Sequence, residues 1–287
     1  MQEIAPHIFI ETNFAGVTLS AINWAHGLIL IDSPFRAEDV RSWRSALLNL
    51  GGGVDRLLIN LDPHFDRTLG TRAMECTTVG QERMSQIFRS RPLTFKAQGT
   101  ETGAEWELYN NLGSIRWLPP EITFTNRLSI HWDGDPLILE YHPGSAVGAC
   151  WASLPDHRIL FLGDAVVLNQ PPFLAASDLA VWIADLKKLL SSEYHDWVFV
   201  SGRGGLVTID EIRRQIQFLE AAQTLIHELE QKQATAEEIA AAAPQLLGAF
   251  EVPGDLKSLY SQRLVYGMQQ YVLRRFHPVE EEPPVEE

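Results

Sequence analysis

Cysteine is nearly absent. The 287 residues hold two, Cys76 and Cys150, which gives neither a disulfide framework nor a CxxC metal knuckle. Two buried thiols in a reducing cytosol are the expected arrangement. Long apolar runs are missing as well: no stretch reaches the ~18 residues that a membrane span needs, so no membrane partner is expected. Residues 1–6 carry neither the basic cluster nor the apolar segment of a secretory signal, and the expected location is cytoplasmic. Basic charge is scarce, with 23 Lys and Arg against 37 Asp and Glu and a net charge of -14. That balance argues against nucleic acid and anionic lipid as partners. No period of 20 to 50 residues recurs, which sets aside a repeat architecture. Gly202-Arg203-Gly204-Gly205 lacks the Lys-Ser/Thr of a phosphate loop, and neither Ser145 nor Ser201 sits in a Gly-x-Ser-x-Gly elbow.

What is present is an ordinary globular composition, 45% hydrophobic and 21% charged, enough to build one large core or two small ones. The first two thirds read as strands with occasional helices. Residues 7–11, 17–23 and 27–31 have strand character, the last an apolar run ending at Asp32. Residues 37–50 have helical spacing, with Trp43, Leu47 and Leu48 on one face, and stop at Gly51-Gly52-Gly53. Residues 54–61 form a compact apolar strand. Residues 82–88 suit a helix, and 122–132 alternate as one strand turning at Asp133-Gly134-Asp135 into 136–141. A second hairpin joins 149–154 to 158–162, followed by a helix over 178–190 and a buried strand at 197–200. From Thr208 the pattern becomes helical: Thr208-Ile209-Asp210-Glu211 and Thr235 with Glu238 mark two helix starts, and a third helix covers 256–276. The expected organisation is a body over 1–207, a helical extension over 208–276 packed on it, and an acidic mobile tail over 277–287 built almost wholly of Glu, Pro and Val.

Polar clusters follow several of the buried strands. Asp62-Pro63-His64-Phe65-Asp66-Arg67 comes after residues 54–61; His142-Pro143-Gly144-Ser145, Gly163-Asp164 and Gly202-Arg203-Gly204 come after later strands. Strand ends are where α/β scaffolds carry their chemistry. In order and spacing this set resembles the metallo-β-lactamase superfamily, over about residues 4–206. The family motif Thr-His-x-His-x-Asp-His-x-x-Gly falls on 61–70, Pro-Gly-His-Thr on 143–146, Leu-Phe-x-Gly-Asp on 160–164 and Gly-His-Gly on 202–204. The resemblance implies a four-layer αββα sandwich, two metals in a shared site, and hydrolysis of an ester, thioester, lactone or phosphoester. A homodimer also follows from the resemblance alone.

Four of the implied ligand positions depart from the family pattern. The first metal would see Asp62, His64, Ser145 and Asp164; the second would see Asp66, Arg67, Arg203 and Asp164. Guanidinium stays protonated and has no free lone pair for a metal. With arginine at both histidine positions of the second metal, that metal is expected to be absent, and Arg67 and Arg203 are expected to supply its charge to Asp66 and Asp164. Asp62, His64 and Asp164 leave the first position open between one divalent metal (Zn, Mn or Fe) and none. His142 could stand in as a ligand there, though the Pro143-Gly144 turn would aim it elsewhere.

Two functions compete. One is a non-hydrolytic homologue whose cleft binds a small anionic ligand or a partner through Ser145, Arg67 and Arg203. The other is a mononuclear hydrolase in which Asp66 handles the water and Arg67 or Arg203 stabilises an oxyanion. The histidines at 26, 131, 157, 195, 227 and 277 lack ligand spacing and are expected to be structural.

Overall fold

A computed structural model describes residues 1–92, 94–96, 101–109, 112–132 and 135–276. The first sheet has seven strands: β1 (Gln2–Ala5), β2 (Ile8–Glu11), β3 (Leu19–Asn23), β4 (Gly27–Ile31), β5 (Asp55–Ile59), β6 (Thr77–Gln81) and, after the small β7 (Thr94–Lys96) and β8 (Ser114–Arg116) ribbon, β9 (Ile122–Phe124). The second has six: β10 (Arg127–Ile130), β11 (Leu137–Tyr141), β12 (Cys150–Leu154), β13 (Ile159–Val167), β14 (Val198–Arg203) and β15 (Leu206–Val207). Each sheet begins with antiparallel neighbours and becomes parallel where site-bearing strands meet, at β4–β5–β6 and at β13–β14.

Eight α-helices accompany them in the described residues: α1 (Ala37–Leu48), α2 (Phe65–Thr68), α3 (Thr71–Met74), α4 (Glu82–Ser90), α5 (Leu179–Lys188), α6 (Ile209–Gln231), α7 (Ala236–Ala242) and α8 (Lys257–Phe276). The layers follow from strand alternation. In β4, Ile29 and Ile31 face the inter-sheet core with Ile8, Phe161 and Val200. Leu28 and Leu30 face outward, under Val40, Trp43 and Leu47 of α1. The outer face of the second sheet is covered by Trp182 and Leu186 of α5, Ile212, Ile216 and Leu219 of α6, and Leu264 and Met268 of α8 in one contiguous cluster. The result is an αββα sandwich with additional C-terminal helices.

Residues 122–132, read as one strand, are two. The chain leaves the first sheet after Phe124 and enters the second at Arg127. Alternation continues across the break, so periodicity alone does not reveal the crossing. Hydrogen-bonding partners do: Phe124 pairs with Gln81 of the first sheet and Arg127 with Glu140 of the second. The strand expected over 54–61 contracts to 55–59, because Val54 is exposed and residues 60–62 already turn into the site. Both cysteines are free thiols. Among the described residues no helix is long and apolar enough to cross a membrane. The expected tail and the first two residues of the Asp133-Gly134-Asp135 turn lie outside the described residues.

Candidate functional site

The parallel strands end at one edge of the sandwich, and their last residues converge there. After β5 the chain runs through Asp62 and Pro63 to His64, the residue capping the single turn α2. That turn carries Asp66 and Arg67 inward, and both are fully buried. The Arg67 carbonyl is held by Ser33 Oγ at 3.0 Å and Asn60 Nδ2 at 3.1 Å. The backbone is therefore fixed before the side chain makes any ion pair.

Asp32 and Asp62, which lie just past strand ends, and Asp164 within β13 present carboxylates to Arg67. Its Nη1 donates to Asp32 Oδ2 at 2.6 Å and its Nη2 donates to Asp164 Oδ1. Its Nε lies 3.0 Å from Asp62 Oδ1, close enough for an ion pair but too bent for a hydrogen bond. Asp32, just past β4, adopts a left-handed backbone (φ 61°) and also accepts from Leu61 N at 3.0 Å. Arg203, the last residue of β14, reaches the opposite side of the same Asp164. Its Nε is 3.1 Å from both Asp164 oxygens, and its Nη1 donates to Asp66 Oδ2 at 2.9 Å and Glu105 Oε2 at 2.5 Å. Asp164 thus sits between two guanidinium groups. Gly202 lets them approach: a Cβ there would stand 2.5 Å from Asp164 Oδ1 and 2.7 Å from Arg67 Nη2.

A third arginine enters from the C-terminal helices. Arg263 of α8 donates to Glu105 Oε1 at 2.8 Å, to Gln170 Oε1 at 2.7 Å and to the carbonyls of Gly103 and Pro171. Gly103 (φ 70°) lies directly on α8, where a Cβ would meet Arg263 N at 2.4 Å. Glu105 therefore bridges Arg203 and Arg263, and the segment that carries it, a 3-10 turn over Glu105–Leu108, is clipped to the last helix.

Five carboxyls (Asp32, Asp62, Asp66, Glu105 and Asp164) meet three guanidiniums (Arg67, Arg203 and Arg263), all of them buried. Desolvation raises every carboxyl, and the number of arginines facing each decides the outcome. For Asp164 burial is outweighed by Arg203 and Arg67, which hold it well below the usual carboxylate range. For Glu105 burial is outweighed by Arg263 and Arg203, which hold it at about 2. Asp62 and Asp66 are pushed up to about 7, because burial outweighs Arg67 at the first and Arg203 at the second. Asp32, which also faces only Arg67, is raised by burial as well, so the three acids that face a single arginine are the ones shifted up. His64 is held neutral by burial and by Arg203. Its Nδ1 lies 3.2 Å from Arg203 Nη2, so that nitrogen accepts and Nε2 carries the hydrogen.

This arrangement does not fit a divalent metal at either position. At the second, Arg203 bridges Asp66 and Asp164, and Arg67 holds Asp164 from its other side. At the first, the His64 Nδ1 lone pair receives a guanidinium, Asp164 is shared by two, and Asp62 Oδ1 accepts from His64 N at 2.9 Å while facing Arg67. Among the described residues no group of three or more His, Cys, Asp or Glu is arranged to hold a metal ion. His142 turns away, stacked on Trp151 at 3.8 Å and paired with Asp185 of α5 at 3.0 Å.

The structure brings Asp62, His64, Asp66, Arg67, Asp164 and Arg203 together as the sequence motifs imply. It also changes the part the arginines can play. With 0% and 1% of their surface exposed and their donors directed at carboxylates, Arg67 and Arg203 are not placed to receive a ligand. Ser145 borders a separate cavity of about 200 Å³ above His64, with Phe65, Arg91, Trp106, Phe173 and Tyr266 among its walls. Asp32, Glu105, Arg263 and Arg91 are the additions that the motifs do not mark. Arg263 does leave a trace in the sequence: it stands in the apolar stripe Leu259, Tyr260, Leu264, Met268 of α8, and a charge in such a stripe needs a buried partner.

The layers are those of a metallo-β-lactamase fold, with a cluster of buried carboxylates and guanidinium groups at one edge. The model of the metallo-β-lactamase superfamily matches residues 64–200. Among solved structures it is similar to a metallo-β-lactamase from Pontibacter korlensis, at 18% identity and TM-score 0.61 over 76% of this chain and 97% of that one. It is similar to a metallo-β-lactamase family protein from Thermus thermophilus, at 16% identity and TM-score 0.63 over 96% and 95%. It also resembles the stereoselective inverting sec-alkylsulfatase Pisa1 from Pseudomonas sp., at 16% identity and TM-score 0.64 over 98% of this chain and 51% of that one. No curated protein matches.

Proposed function

We propose that this chain is a metal-independent, non-hydrolytic member of the superfamily, in which buried arginines brace the strand ends and the cleft above His64 binds a small anionic ligand. The observation that supports this reading is Asp164 gripped from both sides by Arg67 and Arg203. A metal ion placed there would have to displace two cations that are already desolvated and paired, leaving each guanidinium buried without its carboxylate. A water made nucleophilic by a metal is the hydrolytic resource of such sites, and this donor set does not provide for it.

The test is metal content together with turnover. Protein purified without chelator and then offered Zn²⁺, Mn²⁺ or Fe²⁺ is expected to retain far less than one equivalent by mass spectrometry of the elements. It is expected to hydrolyse no member of an ester, thioester, lactone and phosphoester panel above the uncatalysed rate. Stoichiometric metal that disappears in Asp62→Ala or His64→Ala, accompanied by turnover that disappears with it, would establish a mononuclear hydrolase in its place.

A further inference from the structure

Arg67, Arg203 and Arg263 each face at least one carboxylate. Arg91, at the end of α4, does not. Its two Nη atoms lie 3.4 Å from a single acceptor, the Pro63 carbonyl. Its guanidinium otherwise lies over aromatic faces: Phe65 at 4.5 Å, Trp117 at 4.7 Å and Phe88 at 5.0 Å. Among the described residues no carboxylate pairs with it. Burial lowers its pKa to about 10, which leaves it charged at neutral pH. A largely desolvated cation with no counter-charge is costly, and ring faces offset that only in part.

The cation borders the cavity above His64, and further polar groups around that cavity await partners. Trp106, a wall residue 5% exposed, has an Nε1–H with no acceptor among the described residues. The Ser145 hydroxyl makes no hydrogen bond there either. His64, as the Nε2–H tautomer, is a donor. Phe65 and Phe173 supply apolar walls. Donors, one unneutralised cation and aromatic faces are complementary to an acceptor-rich, negatively charged head on an apolar body. The cavity, about 200 Å³, is smaller than the ~300–1,000 Å³ of drug-sized sites.

We infer that this cavity is a binding site for a small organic carboxylate, whose head group is neutralised by Arg91 and whose apolar body lies against Phe65 and Phe173. The inference rests on reading the cleft as a ligand site and names the group that selects for charge. Arg91 takes the part that the sequence motifs alone would give to Arg67 and Arg203.

Calorimetric titration of the full chain in EDTA, so that metal content has no bearing on the outcome, compares two isosteric pairs: benzoate with benzamide and hexanoate with hexanamide. Each carboxylate is expected to bind about tenfold or more tightly than its amide. Arg91→Met, which keeps an apolar side chain over the rings, is expected to abolish that preference while leaving amide affinity unchanged. Arg91→Lys is expected to keep part of it. Near-UV circular dichroism of both variants reports whether the aromatic cluster is intact. Equal binding of acid and amide by the wild type, survival of the preference in Arg91→Met, or no binding by any carboxylate at millimolar concentration would each overturn the inference. None of these results depends on whether the protein holds metal or turns over an ester.

Discussion

At the scale of the residue, arginine where the resemblance has histidine puts a covalently fixed cation at the motif position. The sequence makes the substitution itself legible, because Arg67 and Arg203 stand at recognisable motif positions. It does not show how much carboxylate those arginines must neutralise, since Asp32 and Glu105 lie outside the motifs. Two consequences follow. Arg67→Met strips the cation from Asp32, Asp62 and Asp164 together, and breaking a buried pair in this way costs ~3–5 kcal/mol; urea unfolding should show a loss of at least that order, with Arg67→Lys between the two. The second concerns pH. Asp62 and Asp66 have folded pKa values of about 7 against an ordinary value of 3.8, so the folded state binds more protons than the unfolded state between about 4 and 7. Stability therefore falls as pH rises through that window, by up to ~1.4 kcal/mol per pH unit for each proton. Asp164 and Glu105, held low, act in the opposite sense and withdraw their contribution as pH falls below about 4. Urea midpoints from pH 4.5 to 8 should decline, and Asp66→Asn should flatten the decline; a midpoint that rises across that range would contradict the assignment of the surplus protons.

At the scale of the element, the patterns that survive into the structure are those written locally. The apolar run at β4, Trp43 and Leu47 of the α1 stripe, and the Thr208/Glu211 and Thr235/Glu238 capping boxes are all found as helix and strand features, whereas Leu48, read on that same face, is exposed and Val40 takes its place. What escapes local reading is long-range. The transfer of the chain between sheets at residues 125–126 leaves alternation undisturbed, and the one-turn α2 that aims Asp66 and Arg67 is too short to have a period. The contact between the 101–109 segment and α8 is also long-range, joining residues about 160 apart in sequence. That contact makes α8 part of the site's framework, since Arg263 holds the Glu105 that Arg203 needs. Arg263→Met should release this segment. Hydrogen exchange is expected to accelerate over residues 101–109 while β4, β5 and β13 keep their protection. Uniform acceleration across the sheets would instead make Arg263 a general core residue with no particular tie to the site.

At the scale of the whole molecule, the question is what holds the converging strand ends together when five acids meet at one edge of a sandwich. Metal-dependent folds answer it with ions whose binding free energy enters stability by mass action, so that removing the ion lowers the unfolding midpoint and excess ion raises it. Here the cations belong to β14, α2 and α8, and on the reading proposed above their contribution needs no dissolved metal ion. A site that bound Zn²⁺ with a Kd a thousandfold below its concentration would gain ~4 kcal/mol from it, a shift that thermal unfolding resolves easily. This chain is expected to unfold at the same temperature in EDTA, in buffer alone and in excess Zn²⁺ or Mn²⁺, and to refold from urea in EDTA to the same midpoint. The contrast that gives the experiment force is Arg203→His, which offers an imidazole where the guanidinium stood. If that variant alone becomes metal-sensitive, the guanidinium is what closes the wild-type site to metals. If the wild type itself responds to metal, the arginines are not the replacement for the ions and the strand ends are held in another way.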